Sequence, residues 1–145
     1  MPDQVYDEGR NGLLGGGVHA QPDLTTAAIG VGLRDEGTTA LNLSTQIDVA
    51  DVQSSWVTNG RDDALPSPTV GSAGVGAFDH ADETLTSVSG ATVESIDYFD
   101  FATATDATSP LLWNLDTWTG LPLTPNGGDV ILAPAAGGVF QITAT

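Results

Sequence analysis

The sequence predicts a mainly β protein: an antiparallel β-sandwich or barrel of short strands, with at most a short N-terminal helix. Three observations lead there. Stretches of period-two hydrophobicity recur along the 145 residues. Turn signals rich in Gly, Pro and Asn separate them at short intervals. No stretch holds a 3.6-residue period through three helical turns. The length suits one domain able to bury a core of its own. With no cysteine, there is neither a disulfide framework nor Cys-based metal or nucleophile chemistry. Residues 1–145 are therefore read as a single β domain, with a loop insertion at about 55–70.

The elements follow in chain order. Tyr6 to Leu14 has room for one or two helical turns before Gly15-Gly16-Gly17 stops them. Ala27, Ile29, Val31 and Leu33 then fall on one strand face and Ala28, Gly30, Gly32 and Arg34 on the other, before a turn at Asp35-Glu36-Gly37. Short apolar stretches follow around Leu41/Leu43 and from Ile47 to Val52. Residues 58–68, with Asn59-Gly60 and two prolines, read as an exposed loop. Val70 to Phe78 is a Gly-rich strand, 84–88 another, and Ser89-Gly90 a tight turn into a strand over 91–101. In that strand Val93, Phe99 and Phe101 point one way and Ile96 and Tyr98 the other, which places it inside a sandwich or at a subunit contact. Leu111, Trp113 and Leu115 alternate. Thr119 to Gly128 is a loop leading to Val130-Ile131-Leu132. Ala135 to Gly138 turns the chain into a last strand with Phe140 and Ile142 on one face. In the 119–129 loop, Pro122 and Pro125 fix φ and Asn126-Gly127-Gly128 tolerate positive φ, so a defined, structurally important connection is expected.

Charge narrows the setting. Nineteen Asp and Glu stand against three arginines (Arg10, Arg34, Arg61) and no lysine, for a formal net charge of −16. Such a surface repels itself at ordinary ionic strength, whereas at 1 M salt the Debye length is about 3 Å and most of that repulsion is screened. A high-salt environment is the expectation. The 40% hydrophobic content and the alternating runs argue against intrinsic disorder. Nucleic acid is not an expected partner, because phosphate binding needs clustered Lys/Arg. Met1 to Arg10 lacks the basic end and apolar stretch of a signal peptide. No apolar run approaches the roughly 20 residues that span a bilayer, so a soluble chain with no membrane partner is expected.

No catalytic arrangement emerges. Without lysine there is no Walker A loop, Schiff base or Ser-Lys pair. His19 and His80 are far apart in sequence, and Gly30-x-Gly32 runs on to Asp35 and is better explained as alternating glycine in a strand. Val70-Gly71-Ser72-Ala73-Gly74 lacks the first glycine of a nucleophile elbow, and no helix follows it. The expectation is a non-enzyme with no catalytic residue, no cofactor and no metal. Asp79-His80-Ala81-Asp82-Glu83 carries the ligand types for Ca²⁺ but matches no EF-hand spacing, and reads as a solvated acidic turn. Asn42-Leu43-Ser44 fits the N-glycosylation acceptor pattern, although Leu43 reads as a strand residue. Of the tryptophans, Trp113 belongs to an alternating strand and the core. All three, Trp56 included, invite a carbohydrate-binding reading, and Trp118, beside Asp116 and Thr117 just before the long loop, is the better surface candidate for stacking on a sugar.

The C-terminal half carries a further signal. Thr108-Ser109-Pro110-Leu111-Leu112 is followed by Asp116-Thr117-Trp118-Thr119-Gly120-Leu121-Pro122-Leu123-Thr124-Pro125-Asn126-Gly127-Gly128-Asp129-Val130. This block resembles a family of small virion structural proteins encoded among the head genes of tailed viruses. Weaker matches are Tyr6-Asp7-Glu8-Gly9-Arg10, the strand from Thr26 to Leu33, and Val88-Ser89-Gly90-Ala91-Thr92-Val93-Glu94. Residues 40–75 are longer than the family pattern, and Ala133 to Thr145 departs from its ending with Trp, Asn-Gly and Lys. The resemblance implies a capsid-associated role and brings no catalytic residues. With the charge, it implies a virus of haloarchaea. The expected function is a capsid decoration, cement or turret protein on the virion surface, contacting the major capsid protein or other virion proteins. A ring or trimer with Phe99/Phe101 or Ile96/Tyr98 near its subunit contact is expected, since open sheet edges need cover. A neck or tail component is one alternative. A receptor- or host-glycan-binding module centred on Trp118 is another.

Overall fold

The computed structural model describes residues 4–26, 28–71, 75–136 and 138–143; for 75, 76 and 140–143 only the backbone path is considered. The elements are β1 (Gln4–Val5), α1 (Asp7–Leu13), β2 (Ile29–Arg34), α2 (Val49–Val52), β3 (Trp56–Asp62), β4 (Thr69–Val70), β5 (Val75–Asp79), β6 (Glu83–Leu85), β7 (Ser95–Asp100), β8 (Leu111–Leu115), β9 (Val130–Leu132) and β10 (Phe140–Thr143). All pairings are antiparallel. A five-stranded sheet in the order β1-β8-β7-β2-β3 is joined by a three-stranded sheet, β10-β5-β4, and the pair β6-β9. The architecture is mainly β and open, not a closed barrel.

The central sheet is buried on both faces. Ile29, Val31 and Leu33 of β2, Ile96 and Tyr98 of β7, and Trp113 and Leu115 of β8 share one core with Phe78, Leu85 and Leu132 from the two smaller sheets. Phe78 sets its ring edge-on to Trp113 at 5.2 Å, while Tyr98 stacks on Trp113 at 5.5 Å, the offset geometries that aromatic quadrupoles favour. On the other face, Phe99 and Leu111 pack with Tyr6, Val49 and Val52, partly covered by Leu41, Leu43, Trp56 and Phe101. Helix α1 sits so close to β8 that a Cβ at Gly9 would lie 2.1 Å from the Leu112 carbonyl oxygen. This two-sided cover explains why β2, β7 and β8 are buried along their whole length.

The double cover corrects the placement of the subunit contact. Ile96, Tyr98 and Phe99 are at most 1% exposed within one chain, and Phe101 is half-buried beneath Arg61. Ile96, Tyr98 and Phe99 therefore offer no surface to a second copy. The reading of 58–68 as a loop is corrected as well, because β3 runs through Asn59-Gly60. Arg34 pairs with Trp56 but Gly32 with Arg61, so β3 has extra residues opposite β2 and forms a bulge. Asn59, at φ 59°, takes the left-handed turn there. The true connection begins after Asp62, whose carboxylate accepts from the Ala64 N–H. The stretch expected as one strand over Val70 to Phe78 is two paired strands, β4 and β5; Ser72, Ala73 and Gly74 lie outside the described residues. Ala27 does too. The 47–52 stretch contains a one-turn helix, α2, whose Asp51 carboxylate accepts from the Ile47 and Asp48 N–H groups.

Candidate functional site

The glycines of β2 have a packing role. A Cβ at Gly32 would lie 2.1 Å from the Trp56 ring, and one at Gly30 2.5 Å from Phe99. Trp56 and Phe99 stack at 5.1 Å, and the Arg61 guanidinium lies over Trp56, Phe99 and Phe101 at 4.9–5.5 Å from the ring centroids. Arg61 also pairs with Asp63 and with Asp106. The bare backbone of β2 thus makes room for an aromatic layer closed by Arg61.

Beneath that layer lies a buried polar centre that periodicity did not disclose. Arg34 and Asp97 are both fully buried, on neighbouring strands β2 and β7. The Asp97 carboxylate accepts from Tyr6 Oη at 2.7 Å, Asn114 Nδ2 at 2.8 Å, Trp56 Nε1 at 2.9 Å and Arg34 Nη1 at 3.3 Å. Arg34 also donates to Tyr6 Oη, the Thr39 carbonyl and Gln46 Oε1. Burial, reinforced by the Asp97 charge, pushes the Tyr6 hydroxyl far above its ordinary range, so it stays protonated and donates. The centre ties β2, β3, β7 and β8 to the start of α1 and to the 39–46 segment. It is closed within the fold and offers nothing to a substrate.

The acidic stretch 79–83 is the turn from β5 to β6. His80 points inward and is 5% exposed. Its Nδ1 lies 2.7 Å from the Ala81 carbonyl oxygen, so Nδ1 carries the proton and Nε2 accepts from Tyr98 Oη at 3.0 Å. Burial holds this imidazole below its usual pKa. The ring is thereby withdrawn from the flanking carboxylates. Among the described residues no three His, Asp or Glu side chains converge as a metal site. Asn42 is exposed, but in a turn and not a strand, with its side-chain oxygen accepting from the Ser44 and Thr45 N–H groups.

His19 is set beside α2, with Nε2 2.7 Å from Asp48 Oδ1. Burial raises the carboxyl pKa of Asp48 and of nearby Asp100. A cleft of about 230 Å³ between His19, Asp23 and Asp100 completes this corner. Its sequence signal was slight: one histidine in a Gly-rich segment.

A further shaped surface surrounds Trp118. The ring is half-buried, packed on the main core, and Trp118 lines two clefts of about 260 and 430 Å³. Leu33, Val93, Ile96 and Leu121 help line the first, with Asp129 also on its boundary. Thr117, Ala133 and Val139 help line the second, and Thr119 borders both. The loop from Trp118 to Asp129 is pinned at several points. Val93 and Leu123 exchange both backbone hydrogen bonds, at 2.7 and 2.9 Å; Val88 does the same with Gly127 and Gly128, at 2.8 and 2.9 Å. Asp129 Oδ1 accepts from the Ser87 N–H. Gly127, at φ 86°, makes the expected reversal and Gly120, at φ 104°, a second one; the Leu121–Pro122 peptide is cis. Trp113, by contrast, is entirely buried, and Trp56 is committed to Phe99 and Asp97.

No protein-family model matches the chain, and no curated protein matches it either.

Proposed function

We propose that this protein is a non-enzymatic structural component of a tailed-virus particle, a decoration, cement or turret protein on the capsid surface that works in high salt. Its partners are the major capsid protein or other virion proteins, and its own copies in a ring or trimer. One observation carries the reading: the Arg34–Asp97 centre and His80 are closed inside the fold, while the adhesive features lie at its margins. Arg34, Asp97 and His80 are consumed by internal partners. Each arginine pairs with an aspartate of the same chain, which leaves no basic patch for nucleic acid. Among the described residues no helix is long and apolar enough to cross a membrane.

The margins are of a different kind. Strands β4 and β10 are edges of the three-stranded sheet, and such edges invite pairing with another chain. Leu14 and Val18, 83% and 80% exposed, flank Gly15-Gly16-Gly17 and make an apolar tip. We place the subunit contact at this tip, in place of Phe99/Phe101 or Ile96/Tyr98. The resemblance of the 108–130 block to virion head proteins supplies the particle as the setting. Localisation tests it: antibody labelling of purified particles of the virus carrying this sequence should decorate the capsid surface. Labelling confined to the neck or tail, or absent from particles, contradicts the proposal.

A further inference from the structure

We propose that the groove around Trp118 binds a neutral glycan. This is a second function, independent of the structural role. A hexose presents an apolar C–H face and a rim of hydroxyls, and the groove offers the complement of both. Trp118 lines both clefts, so that one side chain can serve sugar units bound in each. Together the clefts reach the size range of small-molecule sites, roughly 300–1,000 Å³. A polar group sits beside Trp118: the exposed Thr119 borders both clefts. Asp129 uses Oδ1 for Ser87 and retains its second oxygen as an acceptor for a sugar hydroxyl. Gly120 leaves open space where another residue would carry a side chain.

Charge selects among glycans. With a net charge of −16 and every arginine already paired, the molecule repels uronates, sialic acids and sulfated sugars. Stacking and short-range hydrogen bonds need no long-range charge attraction, so they persist at salt concentrations that screen ionic steering. The groove is also held in shape before any ligand arrives, since the loop is bonded to residues 88 and 93, which lowers the ordering cost of binding.

The test uses the whole chain in molar KCl, presented with immobilised gluco-, galacto- and manno-oligosaccharides alongside oligogalacturonates. At least one neutral series should bind and quench tryptophan fluorescence. Trp118→Ala should weaken that binding about tenfold or more, as loss of an aromatic stacking partner predicts. Trp118→Phe, which keeps a ring, should retain most of it, and Thr119→Val should weaken it with an unchanged melting temperature. If Trp118→Ala does not fold, the phenylalanine and valine variants decide. Binding only to oligogalacturonates, binding indifferent to all three substitutions, or no binding to any neutral series overturns the proposal.

Discussion

Replacing Asp97 by alanine tests the physics of the buried centre most severely. The carboxylate is fully buried and accepts from four groups: Tyr6 Oη, Asn114 Nδ2, Trp56 Nε1 and Arg34 Nη1. Alanine removes the acceptor from all four and leaves the Arg34 charge buried with Tyr6 Oη, one carbonyl and one amide oxygen. Breaking a buried ion pair from one side costs about 3–5 kcal/mol, and each orphaned buried donor adds about 1–3 kcal/mol. These terms overlap because the residues form one network, so their sum overstates the effect, and a loss of at least ~4 kcal/mol is expected. Arg34→Met should cost less, since Asp97 then keeps three donors, and Tyr6→Phe less again, at about 1–2 kcal/mol. Denaturant unfolding in molar KCl, where surface repulsion is screened, measures all three. A loss below ~1 kcal/mol for Asp97→Ala, or an inverted order, refutes the reasoning.

Further outcomes follow from other sites. Thermal unfolding should move to markedly higher temperature from about 0.1 M to molar KCl, because the charge of −16 is screened only at the upper end; a flat or falling curve contradicts the high-salt reading. Gly127→Val should cost more than ~1 kcal/mol by melting, because φ there is 86°, whereas Gly128→Val should cost less; equal, wild-type behaviour from both refutes it. Burial raises the Asp100 pKa, so its contribution to stability is present below the unfolded value of about 3.9 and lost as pH rises through the folded one. Asp100→Asn should therefore raise the melting temperature at neutral pH and lose that advantage in acid, and a neutral-pH loss contradicts this. His80 is depressed, so its contribution is present above about pH 6.5 and lost as pH falls through the lower folded value. Its ¹⁵N titration midpoint should lie below that value, with Nδ1 protonated in the neutral form, and a higher midpoint contradicts the buried placement.

What could be read from the sequence was whatever local pattern controls. The alternation in β2 and β8, the helical turn before Gly15, and the proline and glycine order of the 119–129 loop all appear where expected. Asn59-Gly60 misled because a turn-forming pair also serves a bulge, and only the offset pairing of β2 with β3 distinguishes the two. Asp48-x-x-Asp51 was the overlooked sign of α2, a helix-start spacing in a stretch read for its apolar residues alone. The burial of Arg34 was not legible. Arginine is ordinarily exposed, and its partner Asp97 lies 63 residues away on a strand that becomes a neighbour only after folding. For the same reason the apolar faces of β7 suggested an interface between copies, when Tyr6, α2 and the smaller sheets already supply the cover. Trp118 read as a surface residue from its loop, but the ring is half-buried against the main core, and the first of its two clefts is built from chain segments far apart in sequence.

The central claim is a place on the capsid, and a cryo-EM map of the intact particle tests it most directly. The account predicts the open sandwich in many symmetry-related copies on the capsid surface, with the Leu14–Val18 tip at a protein–protein contact. A map that assigns the chain to the neck or tail alone, or that contains no such density, contradicts it.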